Sequence, residues 1–203
     1  MLNAETPRLK FALYGAHSDL GSALLVELLS RQHEAVVLLD DLNSMAARPG
    51  LRTKPGDPFD PLSVSESVAG MDAVICLFHL PWLPSTDAVS GESPQRDFYQ
   101  AVLALLRGLE RAAVNRLLLI ADFPAIEQQP EVAAALQRLA AHPLRWTLVD
   151  TPSSGGLLSV EALAGAAGKG DANPHRQLQR IAAGIVDELE SPQHIHQRIH
   201  FRG

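Results

Sequence analysis

The chain has 203 residues, 46% of them hydrophobic and 20% charged, enough for one globular domain over residues 1–203 and too few for a second full one. A formal charge of −6, with 17 Lys and Arg against 23 Asp and Glu and no basic run, excludes the clustered positive face that a nucleic-acid partner needs. The polar opening Met1 to Lys10 leads into neither a signal-like apolar core nor a membrane span, so a soluble, cytoplasmic protein without a membrane partner is expected.

The first apolar run, Phe11 to Tyr14, stops at Gly15, after which Leu20, Ala23, Leu24, Leu28 and Leu29 recur at helical spacing. This predicts strand, tight turn and helix. Arg31 to Glu34 closes the helix, and Ala35 to Leu39 is a continuous apolar run suited to a strand buried on both faces. The stretch Asp41 to Asp60 is rich in Pro, Gly and Asp and carries no predicted strand. Ser63 to Glu66 then opens a short helix ending near Gly70, with serine and glutamate placed for capping. Ala73 to Phe78 is the next buried strand. It contains Cys76, which cannot form an internal disulfide and reads as a small buried hydrophobe.

Beyond a Pro-rich loop from Pro81 to Pro94, a long helical pattern covers Phe98 to Ala113, and Arg116 to Ala121 is a further strand. A helix over Pro130 to Ala141 leads into a strand at Arg145 to Val149 and a Gly-rich stretch, Ser153 to Gly170, with room for a helix in its middle. The last helix spans Arg176 to Glu190, with Ile181, Ile185, Val186 and Leu189 on one stripe, and Ile195 to Phe201 is a terminal strand candidate.

Strands alternating with helices at this spacing predict an α/β fold, a doubly wound parallel sheet whose crossover helices cover both faces. Ligands of such sheets bind beyond the carboxyl ends of the strands. Gly15-Ala16-His17-Ser18-Asp19-Leu20-Gly21 lies between the first strand and the first helix, where a dinucleotide-binding fold of the Rossmann type places glycines for the turn, for pyrophosphate approach and for helix packing. Only the first and third glycines are present. Ser18 stands at the middle site, where a Cβ crowds a pyrophosphate but a hydroxyl can donate to it. Asp19 suits a helix start and opposes a phosphate unless its side chain turns away. Alternatively, Gly15 and Gly21 serve the turn and packing alone.

Asp40 and Asp41 follow the second strand about twenty residues on, where a carboxylate accepts hydrogen bonds from an adenosine ribose. A 2′-phosphate would meet like charge there, with no arginine before Arg48, so NAD(H) is favoured over NADP(H). Asp41 is equally suited to capping the turn Leu42 to Ala47.

Together, Gly15-Ala16 with Gly21, Gly56-Asp57, Asp72 to Ile75 and the ending Val186 to Pro192 resemble the atypical short-chain dehydrogenases, the NmrA-like NAD(P)H-binding family that includes NADH-flavin reductases. The resemblance covers nearly the whole chain, and the Asp-Glu-Leu-Glu-x-Pro-x-His-x-x-Gln-Arg ending is similar to the flavin-reductase branch. It implies a Rossmann fold, a nicotinamide dinucleotide, and a flavin or quinone as second reactant. It also implies that Asp57 lies near the adenine and that Leu77, Phe78 and His79 run beneath the cofactor. The family turn reads Gly-Ala-Thr-Gly-x-x-Gly, so His17 and Ser18 depart from it. An arginine is common in the family where Asp40 stands. Relatives have a small, glycine-rich strand end where this chain has Ala121-Asp122-Phe123-Pro124.

Short-chain dehydrogenases with a Tyr and a Lys four residues on use the phenol as a proton donor, and this sequence has no such pair, since Tyr99 is followed by Leu103. Hydride transfer to flavin needs none. His79 and Asp122, at successive strand ends, are the acid/base candidates, against a solvated His and a loop-capping Asp. Ser153 and Ser154 lack a nucleophile elbow, which disfavours a hydrolase. His194, His196 and His200 share parity on the terminal strand candidate, yet without Cys or acidic ligands an edge strand is expected there and no metal site. Two functions follow: an NAD(P)H-dependent flavin or quinone reductase, as a homodimer or monomer, and a non-catalytic relative that senses nucleotide, or has lost binding altogether, and acts through protein contacts.

Overall fold

In the computed structural model the described residues are 8–46, 48–78, 97–151 and 174–201. The order along the chain is β1 (Lys10–Tyr14), α1 (Asp19–Ser30), β2 (Glu34–Leu39), a 3₁₀ turn (Leu42–Ser44), β3 (Leu51–Pro55), α2 (Pro61–Val68) and β4 (Ala73–Leu77). Then come α3 (Phe98–Ala112), β5 (Arg116–Ala121), α4 (Phe123–Ile126), α5 (Pro130–Ala140), β6 (Arg145–Asp150), α6 (Pro174–Glu190) and β7 (Gln197–His200). All seven strands form one parallel sheet in the order β3-β2-β1-β4-β5-β6-β7. The predicted α/β, Rossmann-type doubly wound architecture is therefore present.

Central strands buried on both faces explain why their sequences are unbroken apolar runs rather than alternating ones. On one face, Ala12, Tyr14, Val74, Cys76 and Leu119 meet Val64 and Val68 of α2, Leu105 and Leu109 of α3, and Ala135 of α5. On the other, Leu13, Ile75, Leu118 and Val149 meet Leu24 and Leu28 of α1 and Ile181, Ile185 and Val186 of α6. Strand order turns around between β1 and β4, so the crevice of such a sheet opens at the carboxyl ends of these two strands.

Four elements differ from the sequence reading. β3 was not predicted, because Leu51-Arg52-Thr53-Lys54-Pro55 is an edge strand with little apolar signal, and it exists by pairing with Ala35 to Leu39. α2 starts at Pro61, not Ser63: the Asp60 carboxylate accepts from the amides of Leu62 and Ser63, while Ser63 Oγ accepts from the Asp57 amide. Phe123–Ile126 forms a one-turn helix directly after β5. The terminal strand is shorter than predicted because His196 takes a left-handed φ of 58° and breaks the extended backbone before Gln197. The predicted parity of the histidines fails with it. His194 Nδ1 lies 2.8 Å from Glu188, His196 Nε2 lies 2.9 Å from the Leu144 carbonyl, and His200 turns to Asp150.

Candidate functional site: a nucleotide crevice at the sheet switch point

The turn after β1 is shaped by its two glycines. Gly15 has φ +83°, and a Cβ there would sit 2.8 Å from the carbonyl oxygen of Leu77 at the end of β4. Only glycine lets the turn take this conformation and approach the neighbouring strand so closely. A Cβ on Gly21 would collide with the Gly15 carbonyl and with Ala16, so the first turn of α1 lies directly on the loop. Ser22 Oγ donates to the Ala16 carbonyl at 3.1 Å and fastens it further.

Ser18 is the N-cap of α1. Its Oγ accepts from the Gly21 amide at 3.0 Å and donates to the Gly15 carbonyl at 2.8 Å. The hydroxyl that the sequence offered to a phosphate is therefore engaged within the turn. Asp19, the first residue of α1, is only 5% exposed. Leu20 is buried against the core. Exposed His17 reaches across the crevice rim, with Nε2 3.0 Å from Ser44 Oγ in the 3₁₀ turn after β2.

The two acids after β2 have separate surroundings. Asp41 caps the 3₁₀ turn, its carboxylate accepting from the Asn43 amide at 2.9 Å and its carbonyl from Ser44. Asp40 is exposed at the carboxyl end of β2, the position from which a ribose can be contacted. After β3, Gly56 packs on Leu38, and the Asp57 carboxylate accepts from the Phe59 amide at 2.9 Å, holding the loop that leads into α2. Tyr14, at the end of β1, has its phenol 3.2 Å from Ser67 Oγ in the core. Burial pushes its ionisation well above the ordinary range, and the phenol stays protonated inside the core.

At the carboxyl ends of β4 and β5 the core is closed by aromatic rings. Leu77 and Phe78 are buried, Phe78 lies 4.7 Å from Phe98 centroid to centroid, and Phe98 lies 6.2 Å from Phe123. Phe123 is fully buried in the core where relatives have a glycine-rich strand end. Asp122 is half-buried before α4, and its carbonyl accepts from Ala125, but its side chain makes no cap. Its proposed partner His79 lies outside the described residues, as do Ser153 and Ser154. Among the described residues no group of three His, Cys, Asp or Glu is placed to hold a metal, and no helix is long and apolar enough to cross a membrane.

One constellation escaped the sequence reading. Asp150 ends β6 buried, its Oδ2 accepting from Arg198 Nε at 2.7 Å and lying 2.5 Å from His200 Nδ1, both on β7. Arg198 also donates to Glu127 at 2.6 Å. Alternate positions 198 and 200 on a parallel edge strand share a face, which was the available signal. Which acids they would meet depended on the β6 to β7 pairing.

The pattern of the NAD(P)H-binding family matches residues 15–153, from the glycine turn to just beyond β6. The chain belongs to the NAD(P)H-binding family. This agrees with the resemblance to NmrA-like atypical short-chain dehydrogenases and with an NAD(P)-binding, oxidoreductase-like protein, and it makes a nicotinamide dinucleotide the family's ligand. No curated protein sequence matches the chain. Solved structures share the fold. A proposed epimerase from Bacteroides thetaiotaomicron is 20% identical, with 96% of each chain covered and a TM-score of 0.65. A proposed NADH-flavin reductase from Streptococcus pneumoniae is 21% identical over 95% of this chain and 98% of its own, with a TM-score of 0.55. The Bordetella bronchiseptica enzyme WbmH, solved in complex with NAD+, is 14% identical over 96% of this chain and 76% of its own, with a TM-score of 0.58. The neighbours thus agree with the family on the fold.

Proposed function

We propose that residues 1–203 form one NAD(H)-binding domain that passes a hydride to a flavin or quinone, acting as a cytoplasmic reductase with a dinucleotide as its principal partner. The observation that carries this reading is the turn itself: a positive-φ Gly15 at the carboxyl end of β1, backed by Leu77 and leading into the N-terminus of α1 beside the sheet switch point. In this reading Gly15 to Gly21 border the pyrophosphate, with His17 and Ser18 on the rim. Asp40 accepts from the adenosine ribose, Asp57 borders the adenine, and Leu77 and Phe78 underlie the cofactor. Exposed Asp40 supports NAD(H) over NADP(H), since a 2′-phosphate would meet its charge.

The residues present fit such a group at the turn, where positive-φ Gly15 leads into the N-terminus of α1. A bound dihydronicotinamide supplies the hydride; the protein's part is to align the rings and keep water away. The buried rings of Phe78, Phe98 and Phe123 close the core at that end of the sheet.

A second reading has its own observation. The Ser18 hydroxyl is engaged in the turn, and His17 bridges to Ser44 where the adenosine half would enter. Both features suit a relative that senses nucleotide weakly, or has lost it, and works through protein contacts. Calorimetric titration with NADH and NADPH, after an absorbance check for co-purified nucleotide or flavin, separates the two. Micromolar NADH binding with weaker NADPH is the expected result. Absence of heat with either nucleotide to millimolar concentration would overturn the reductase reading in favour of the second.

A further inference from the structure

Resting on the hydride-transfer reading above, we propose that His200 is the proton donor to a quinone bound beyond the carboxyl ends of β6 and β7, and that Asp150 is its positioning residue. Register places the pair there. Ala121 of β5 lies beside Asp150, and Asp150 lies beside His200, so all three mark the same end of the sheet as the glycine turn. With strands about 4.8 Å apart, β7 lies roughly 14 Å from β4. That end of the sheet holds the second reactant when the pyrophosphate sits over β1 and β4.

The side chains are arranged as an oriented imidazole. Asp150 is 93% buried at its side chain while that of His200 is 59% exposed, and His200 Nδ1 lies 2.5 Å from Asp150 Oδ2. Fixing Nδ1 on a carboxylate leaves Nε2 as the outward nitrogen, free to carry a proton to or from a ligand. Arg198 donates to the same oxygen, is held in turn by Glu127, and lies with its guanidinium 5.4 Å from the Phe123 ring centre. The charged groups gathered at His200 are thus Asp150 from β6, Arg198 from β7 and, through Arg198, Glu127 after α4. Fastening β7 to the sheet needs none of this, since the backbone ladder already does so. The second carboxylate oxygen of Asp150 is buried without a hydrogen bond, a cost that a purely structural clasp would avoid.

The chemistry balances. When the C4–H bond of the dihydronicotinamide breaks, its electron pair and hydrogen pass to one quinone oxygen, forming an O–H bond and reducing the ring by two electrons. The other oxygen, now a phenolate, takes the Nε2 proton of the His200 imidazolium. Neutral imidazole remains, held by Asp150, and regains its proton from water.

The test uses the full chain with NADH and menadione as the probe quinone, comparing wild type, His200→Gln and Asp150→Asn. His200→Gln is expected to keep NADH affinity, to slow menadione reduction about a hundredfold, and to lose the fall in rate with rising pH that an acid donor imposes. In nitrogen-15 NMR of the unliganded protein, the His200 ring is expected in the Nδ1–H form, and Asp150→Asn is expected to move it toward a tautomer mixture. An unchanged rate and pH profile in His200→Gln, with NADH still bound, would overturn this inference alone. So would wild-type NADH binding without menadione reduction. Failure of the wild type to bind NADH would overturn both this inference and the reductase reading.

Discussion

The carbonyl oxygen of Gly15 occupies the space that a methyl group on Gly21 would need. The two glycines kept from the family turn are therefore tied to each other by packing before any ligand is considered. The first turn of α1 rests on the loop, and the loop rests on Leu77 of β4. Gly21→Ala should accordingly destabilise the fold by about 2–3 kcal/mol, the range for overpacking a site whose neighbours are backbone atoms. Urea denaturation measures it, and a change below about 0.5 kcal/mol, as at ordinary surface positions, would show that the helix can slide away from the turn. Gly15→Val, which from sequence reads as a clean test of binding, should also destabilise, because it forces a β-branched residue to positive φ against Leu77.

Ser18 links stability to binding with opposite signs. Ser18→Ala removes an N-cap and should cost about 1 kcal/mol, whereas Ser18→Gly should cost only a few tenths. If the turn borders a pyrophosphate, Ser18→Gly should also tighten NADH by clearing the Cβ, and calorimetry reads both effects on one pair of proteins. Equal NADH affinity in wild type and both variants would remove Ser18 from the nucleotide site.

The His17 contact with Ser44 spans the rim between the glycine turn and the segment after β2. His17→Ala should leave stability nearly unchanged, because an exposed hydrogen bond contributes little, and should raise NADH affinity if the bridge obstructs the adenosine half. Weaker binding in this variant would instead make His17 a ligand contact.

Cofactor choice should follow Asp40. Asp40→Arg replaces a charge that repels a 2′-phosphate with one that attracts it, and should shift the NADPH to NADH affinity ratio by about tenfold or more, or 1.4 kcal/mol. An unaltered ratio would mean that this carboxylate does not face the ribose.

At the opposite end of the sheet, Arg116 and Glu188 form a buried pair at 3.0 Å, their side chains 6% and 4% exposed. Burial pushes Arg116 down to about 10, against the opposing pull of Glu188. Burial would raise Glu188, yet hydrogen bonds from the His194 ring and amide and from the Gln193 amide, with the Arg116 charge, hold it below the ordinary carboxylate value. A carboxyl depressed by folding contributes stability that is complete above its unfolded value, near 4.5, and lost as pH falls through the lower folded value. Acid titration of stability should show this loss below about pH 4.5, and Glu188→Gln should flatten that limb. Arg116→Ala should cost about 3–5 kcal/mol at neutral pH, since it strands a buried carboxylate.

The strands β1, β2, β4, β5 and β6 and the long helices α3, α5 and α6 were legible because buried parallel strands and amphipathic helices write their environment into local apolar patterns. The glycine turn was legible for a related reason, since a positive φ and a close approach to Leu77 admit one residue type. β3 was not, because an edge strand with exposed Arg52 owes its existence to a neighbour rather than to its own pattern.

By itself, then, the sequence determined the layered α/β architecture, the carboxyl-end location of the crevice and membership of an NAD(P)H-binding family, all properties that depend on local periodicity and glycine placement. The tertiary structure alone decided what the polar side chains do. It turned Ser18 inward as a cap, sent Asp41 to the 3₁₀ turn while leaving Asp40 exposed, and parted His194, His196 and His200 among three different acceptors. It also brought Asp150 to Arg198 and His200 across 48 and 50 residues of chain. Such pairings arise from strand register and from where loops cross, and no local pattern encodes a distance between residues that far apart.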